Sequence, residues 1–229
     1  YFLKHQDHIG PGWLLDRCDP AKRPYQMVTV GAPDDLPMAI ACNGVVYVGR
    51  SITPAEIQQK DPVLKAELQF VRSLIALGVP YLGIHRGAQL LARAMLADLA
   101  EAPTTEARHA ILTLNDAGQA DPLLGNGLPA LPVLHWPTHR FALPRKAELL
   151  AGTAEAVDAF RFGDCAWGVL PHVELTPTAL RDWLHEETTP AEVAAQRSTL
   201  LKEAHDREAT QRDAAYALMD RFLNRASSF

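Results

Sequence analysis

Cysteine is scarce in this chain: only Cys18, Cys42 and Cys165 occur in 229 residues, far apart and with no CxxC spacing. That pattern argues against a disulfide framework, and the expectation is three buried or inert thiols in a reducing compartment. An excess of one charge is missing too. The 22 basic and 27 acidic residues are scattered, and a net charge of −5 leaves no basic footprint for nucleic acid or an anionic membrane. No run approaches the roughly 20 apolar residues of a membrane span, and the opening Tyr1-Phe2-Leu3-Lys4-His5-Gln6-Asp7-His8 has no apolar signal core. The expected location is the cytoplasm, with neither nucleic acid nor membrane as a partner. The chain begins without methionine on what reads as a strand, so upstream residues are expected to be missing. There is no internal repeat, no low-complexity tract, no His-Glu-x-x-His motif of a helical zinc site, and no glycine-rich phosphate loop with lysine. No cofactor is expected.

What is present suits one α/β domain, since 229 residues with 48% hydrophobic content can bury a full core. Tyr1 to Lys4 reads as a first strand, turned by Gly10-Pro11-Gly12, and residues 27–30 as a second. Val45-Val46-Tyr47-Val48 is the continuous apolar run of a central parallel strand, with Gly49-Arg50-Ser51 at its carboxyl end. Asp61-Pro62 is a helix start, an N-cap followed by an N1 proline. From there Val63, Leu64, Leu68, Val71, Leu74 and Ile75 recur at helical spacing up to the stop at Gly78. Further on, residues 110–114 read as a strand, and 132–136, 156–162 and 165–170 as short strands of mixed direction in a smaller antiparallel layer. Thr189-Pro190-Ala191-Glu192 has the form of a capping box opening C-terminal helices that run to Phe222. The expected organisation is an α/β domain over 1–188 and a helical extension over 189–229 packed on it. Val193, Leu200, Leu201, Leu218, Met219 and Phe222 supply its packing surface, part of which is open to being a dimer face.

The chain is organised around Val79 to Ala92, where a buried strand breaks at Gly83-Ile84-His85-Arg86-Gly87 and turns into a helix expected over about 89–99. Glycines two residues before and after a central residue are what a nucleophile elbow needs, because a strained strand-to-helix turn leaves no room for neighbouring side chains. A hydrolase carries serine or cysteine at that tip. Here it is His85, a poor nucleophile for acyl transfer. Ligands in open α/β sheets bind at the carboxyl ends of the strands, so the elbow and the Gly49-Arg50-Ser51 loop should line one crevice.

Gly83 to Ala92 resembles the elbow of class I glutamine amidotransferases, Gly-Ile-Cys-x-Gly-x-Gln-Leu-Leu-Ala, at every fixed position except the cysteine. The similarity extends to His5 with Gly10-Pro11-Gly12, Val45 to Gly49, His135-Trp136 through Phe141-Ala142-Leu143-Pro144, and Trp167-Gly168-Val169 with His172 and Glu174. Within the family the pattern is that of stand-alone proteins similar to the amidotransferase domain of GMP synthase. The resemblance implies a flavodoxin-like, mostly parallel sheet flanked by helices, with a Cys-His-Glu triad. In that triad cysteine attacks the glutamine side-chain amide, histidine is general base and acid, and glutamate orients the histidine. His172 and Glu174 stand in the second and third roles, two residues apart and so on one face, and the first falls on His85.

The departures from the family pattern are as informative. The oxyanion loop that commonly reads Gly-Gly is Gly49-Arg50; Gln-Phe-His-Pro-Glu is Leu170-Pro171-His172-Val173-Glu174; His-Trp-His-Gly-Asp is His135-Trp136-Pro137-Thr138-His139. The expected function is a catalytically degenerate relative that does not hydrolyse glutamine and keeps the crevice for a small carboxylate or amino acid, a protein partner or a second copy of the chain. Gly49, Arg50, Arg86 and Gln89 are the candidate ligand-binding residues: the two arginines as carboxylate partners or ordinary loop residues, Gln89 through the family resemblance. An alternative of another class is a metal-dependent enzyme. If family geometry holds, His85 and His172 with Glu174 behind give a two-histidine, one-carboxylate set suited to iron or zinc. A purely structural module is the third reading. His5, His8, His135 and His139 are expected on the surface or in loops.

Overall fold

The structure is a computed structural model that describes all residues except 7–8, 19–22, 103–105, 126, 129, 137–138, 187–188 and 229. His8, the Pro137-Thr138 replacement and the expected boundary at 188 lie outside the described residues. The first half of the chain forms β1 (Phe2–Lys4), β2 (Met27–Thr29), β3 (Val45–Tyr47), α1 (Pro54–Gln58), α2 (Pro62–Leu77), β4 (Tyr81–Ile84) and α3 (Arg86–Ala94). There follow β5 (Leu99–Glu101), β6 (Arg108–Leu112), α4 (Asp116–Ala120), β7 (Leu131–His135), β8 (His139–Phe141), β9 (Ala147–Gly152), β10 (Val157–Phe162) and β11 (Ala166–Val169). The chain ends in α5 (Pro177–Leu184), α6 (Ala191–Ala195), α7 (Arg197–Asp206) and α8 (Glu208–Ser227).

Seven strands make one sheet in the order β2-β1-β3-β4-β11-β10-β9. The first five are mutually parallel, while β10 runs antiparallel to both β11 and β9. Side chains alternate between two buried faces. Val46, Leu82, Ile84 and Trp167 join one core cluster, and Val45, Tyr47, Tyr81 and Ala166 the other, which is why these short strands read as unbroken apolar runs. Helix α2 has the expected ends: Asp61 accepts from the N–H groups of Val63 and Leu64, and Gly78 closes it at φ 75°. The architecture is the expected one, a mostly parallel sheet with flanking helices and two small antiparallel pairs, β5 with β8 and β6 with β7.

Three local expectations are corrected. Residues 165–170 do not belong to a separate antiparallel layer, because β11 pairs in parallel with β4 inside the core sheet, Gly168 opposite Gly83. The elbow helix ends at Ala94, and residues 99–101, expected to lie at or beyond its end, form β5. The capping box at Thr189 is not formed: α6 begins after Pro190 without a side-chain cap, and the Thr189 hydroxyl donates instead to the Trp183 carbonyl at the end of α5, 2.8 Å away. The C-terminal helices are broken at Gln196 and Arg207, and Val193, Leu200, Leu218, Met219 and Phe222 share a core cluster with Val46 and Trp167. Among the described residues no helix is long and apolar enough to cross a membrane.

The consequence for the site lies in the neighbour relation β3-β4-β11. Three adjacent parallel strands end side by side, and their carboxyl ends lead into Gly49-Arg50-Ser51, His85 and Leu170-Pro171-His172.

Candidate active site

His85 is the junction between β4 and α3, with φ 50° and ψ −97°. A non-glycine residue there is strained by about 1–3 kcal/mol and persists only where its surroundings over-determine it. The two flanking glycines are fixed by close approach. A Cβ on Gly83 would lie 2.3 Å from the Gly87 carbonyl carbon, and one on Gly87 would lie 2.3 Å from the Tyr47 carbonyl oxygen. The Tyr81 hydroxyl donates to the Gly87 carbonyl at 2.9 Å and ties the start of the strand to the turn.

At the tip, both imidazole nitrogens of His85 are engaged. Nδ1 lies 3.1 Å from the Leu170 carbonyl oxygen, which only accepts, so Nδ1 carries the proton and Nε2 is the bare nitrogen. Ser51 Oγ lies 2.8 Å from Nε2, and Gln89 Nε2 donates to that same Oγ at 3.1 Å. Gln89 Oε1 in turn accepts from the Ile52 N–H at 2.8 Å, which fixes the orientation of the amide. The donors therefore run in one direction, Ile52 to Gln89 to Ser51 to His85 to Leu170.

His172 stacks on His85, with ring centroids 4.5 Å apart and planes 14° from parallel. Its Nδ1 is 2.8 Å from Glu174 Oε1, and its ring meets the edge of Trp183 at 4.9 Å. His85, His172 and Glu174 are each buried. Burial pushes the His85 imidazole well below its ordinary value, the neighbouring His172 adds to this, and the hydrogen bond to Leu170 offsets only part. The ring is neutral at pH 7. We expect the His85 Cε1 proton signal to show no titration step between pH 6 and 7.5 in an NMR pH series; a midpoint near 6.5 would contradict the burial and stacking described.

Ser51, Thr53, Arg50, His139, Trp136 and Trp183 join the two rings around a crevice of about 280 Å³. Arg50 lines it, and its guanidinium is ion-paired to Glu186 and lies 5.9 Å from the Trp183 ring centroid. Gly49 lies behind the crevice, where its carbonyl accepts the Arg86 backbone N–H at 3.3 Å. Gln89 is fully buried and reaches the crevice through Ser51.

Arg86 is neither a crevice-lining carboxylate partner nor an ordinary loop residue. It is buried beneath the elbow, with Nη2 2.8 Å from Glu67 and 2.7 Å from Glu56. His5 Nε2 lies 2.5 Å from Glu67 Oε1, and the Tyr47 hydroxyl donates to the same oxygen. His5 lies in the loop after β1, as expected, whereas His135 and His139 are strand residues: His135 in β7 faces Asp158 at 3.2 Å, and His139 is buried in β8 against the crevice. The first turn of α3 points one side chain up into the crevice and the next down into the core. Alternation at this junction, which the sequence does not fix, decides the fate of Arg86.

Stacking also bears on metal chemistry. Two imidazoles lying face to face direct their in-plane nitrogens side by side and not at a common point, and both nitrogens of His85 and Nδ1 of His172 are already bonded. Among the described residues no group of three or more His, Cys, Asp or Glu side chains is arranged to hold an ion.

Sequence reasoning missed Ser51 and Trp183. Ser51 stood in the loop expected to line the crevice but without a role of its own, and nothing in its neighbours marks it until the elbow histidine is placed. For Trp183 a signal existed: Thr176-Pro177 is an N-cap with an N1 proline, the Thr176 hydroxyl accepts from the Ala179 N–H at 3.1 Å, and Leu180 and Leu184 give α5 its buried side.

No protein-family model matches the chain. A glutamine amidotransferase-like protein of Salmonella typhimurium, YfeJ, is 25% identical over 184 residues, covering 79% of this chain and 77% of its own length. Among solved structures, a glutamine amidotransferase from Methylobacillus flagellatus superposes with a TM-score of 0.77 at 23% identity, covering 98% of this chain and 93% of that one. A glutamine amidotransferase from Thermotoga maritima gives 0.75 at 21% identity, with 96% of each chain covered. The fold is that of the glutamine amidotransferases, and the likeness in sequence is to a glutamine amidotransferase-like protein.

Proposed function

We propose that this glutamine amidotransferase-like chain no longer hydrolyses glutamine at its elbow, where His85 replaces the nucleophilic cysteine, and that it retains the crevice as a small-ligand site. The observation that carries this reading is the engagement of both His85 nitrogens, Nδ1 by Leu170 and Nε2 by Ser51, at the strained tip of a nucleophile elbow. An imidazole forms no thioester, and this one has no bare lone pair directed into the crevice.

The remaining parts of the old reaction support the same reading. A triad histidine must reach the nucleophile edge-on with its bare nitrogen, whereas His172, though oriented by Glu174, lies flat against the His85 ring. The oxyanion of a tetrahedral intermediate needs uncommitted backbone donors, and the N–H after the tip, that of Arg86, is spent on the Gly49 carbonyl.

What the crevice selects follows from its walls. Trp136, Trp183 and the two stacked rings offer apolar faces, and Arg50 supplies one guanidinium already matched by Glu186. A small carboxylate or amino acid would bind by displacing Glu186 from Arg50, so its affinity is set by an exchange of carboxylates rather than by a new ion pair. The test is ammonia release from glutamine by the purified protein. The expected rate is indistinguishable from that of His172→Ala; release that His172→Ala abolishes would overturn the proposal.

A further inference from the structure

The feature of the crevice that glutamine chemistry leaves unused is Ser51. We infer that Ser51 is a displaced nucleophile, activated by His85 acting as its general base, and that the crevice hydrolyses esters of small apolar acids through an acyl-serine. Loss of the cysteine then moved the reactive atom from the elbow to the neighbouring loop.

Three geometric facts carry this. The Ser51 hydroxyl sits between two side chains: Gln89 Nε2 donates to Oγ, and the bare Nε2 of His85, 2.8 Å away, is placed to accept its proton. That bond is of the length and polarity of a nucleophile-base pair. The base is oriented in turn by a third group, since the Leu170 carbonyl holds the Nδ1 proton at 3.1 Å and so fixes the tautomer that leaves Nε2 free to take a proton. Ser51 lines the crevice beside both rings and is partly exposed there, and the Trp183 side chain forms the facing wall.

In the reaction, Ser51 Oγ forms a bond to the ester carbonyl carbon as its proton passes to His85 Nε2. The bond from that carbon to the alcohol oxygen breaks, and the departing alkoxide takes the proton from Nε2. Water then attacks the acyl-serine, giving its proton to Nε2; the acid leaves and Ser51 Oγ recovers the proton. Gln89 is a positioning residue, holding one lone pair of Oγ while another attacks.

The environment of His85 defines the substrate class. A buried imidazole held below its ordinary value is a weak base, and its conjugate acid gives up a proton readily. Such a pair is matched to leaving groups that depart easily, esters and thioesters, and not to amides. The apolar faces of Trp136 and Trp183 suit an aromatic or short aliphatic acyl group.

The experiment treats the intact wild-type chain with a fluorophosphonate probe and maps the adduct by peptide mass spectrometry. One adduct per chain at Ser51 is expected, together with a burst of one p-nitrophenolate per chain from p-nitrophenyl butyrate. His85→Gln, checked for a native circular dichroism spectrum, should lower the labelling rate at least 100-fold, since a positioned general base contributes about 10²–10⁴. No adduct, an adduct elsewhere, or equal labelling of a folded His85→Gln would overturn the inference. Mapping the wild-type adduct needs no variant, so misfolding of His85→Gln leaves the test decisive.

Discussion

Glu67→Gln is expected to lower the free energy of unfolding by about 3–5 kcal/mol, because it strips the principal counter-charge from a buried guanidinium. Glu67 has no exposed surface, and it receives Arg86 at 2.8 Å, His5 at 2.5 Å and the Tyr47 hydroxyl. It therefore ties α2 to β3, to the loop after β1 and to the residue that follows the elbow tip. Glutamine fills the same volume and can still hydrogen-bond, so the loss isolates charge. Glu56, which is partly exposed, is then the remaining carboxylate on Arg86. A urea titration measures the effect, and a shift of under about 1 kcal/mol, the range of an exposed ion pair, would show that the cluster is hydrated in solution. The double variant Glu67→Leu with Arg86→Met should recover most of the loss, since apolar replacement of a buried pair is often neutral.

The same cluster gives the acid limb of stability. Burial alone would raise the Glu67 carboxyl, but the His5 hydrogen bond and the Arg86 charge outweigh it and bring it from 4.5 down to about 2. A carboxylate depressed in the folded state is stabilising above its unfolded value and loses that contribution as pH falls. About 3 kcal/mol is thus present above pH 4.5 and gone near pH 2. His85 acts in the same direction at higher pH. Its ring resists protonation in the fold, so the unfolded chain binds the extra proton and stability begins to fall below 6.5. In Glu67→Gln the lower limb should vanish while the upper one remains.

Much of this molecule was legible in its residues, and the reasons differ by place. Val45 to Val48, Asp61-Pro62 with Gly78, and the glycines at 83 and 87 were readable because burial on both faces, helix capping and close backbone approach each restrict residue type locally. His172 and Glu174 came through a resemblance, and the structure places them in contact. The fate of Arg86 was hidden, since a buried arginine depends on carboxylates at positions 56 and 67, which no short pattern ties to it. Residues 147–152, which form β9, were missed for a related reason. An edge strand paired along its length only with β10, and met on its other side by a single bridge from Leu114 to Ala151, does not need a fully apolar run, and its exposure alternates irregularly around a bulge opposite Ala159. Ser51 was hidden most deeply, because its significance depends on two side chains, His85 and Gln89, that meet its hydroxyl from distant positions in the chain.

His85→Cys alone is expected to leave glutamine hydrolysis at least about 100-fold below the rate of His85→Cys combined with Arg50→Gly, since one missing oxyanion donor costs about 10²–10³ in rate. The single change supplies a thiol nucleophile and frees His172 from the ring stacked on it, so the thiol introduced at the elbow tip should be alkylated rapidly by iodoacetamide. The native thiols offer a contrast: burial pushes Cys18, Cys42 and Cys165 up, and they should react slowly. A reactive thiol without turnover would then locate the remaining defect in the oxyanion loop. There the Gly49 carbonyl points at the Arg86 N–H, and turning the 49–50 peptide to present an N–H instead requires backbone freedom that arginine at 50 restricts and glycine supplies. Arg50 is further anchored by Glu186 and Trp183, which oppose that rotation. Ammonia release within a few-fold of the double variant would show that the peptide turns without help and that a cysteine at the elbow tip is the one group the crevice lacks for that reaction.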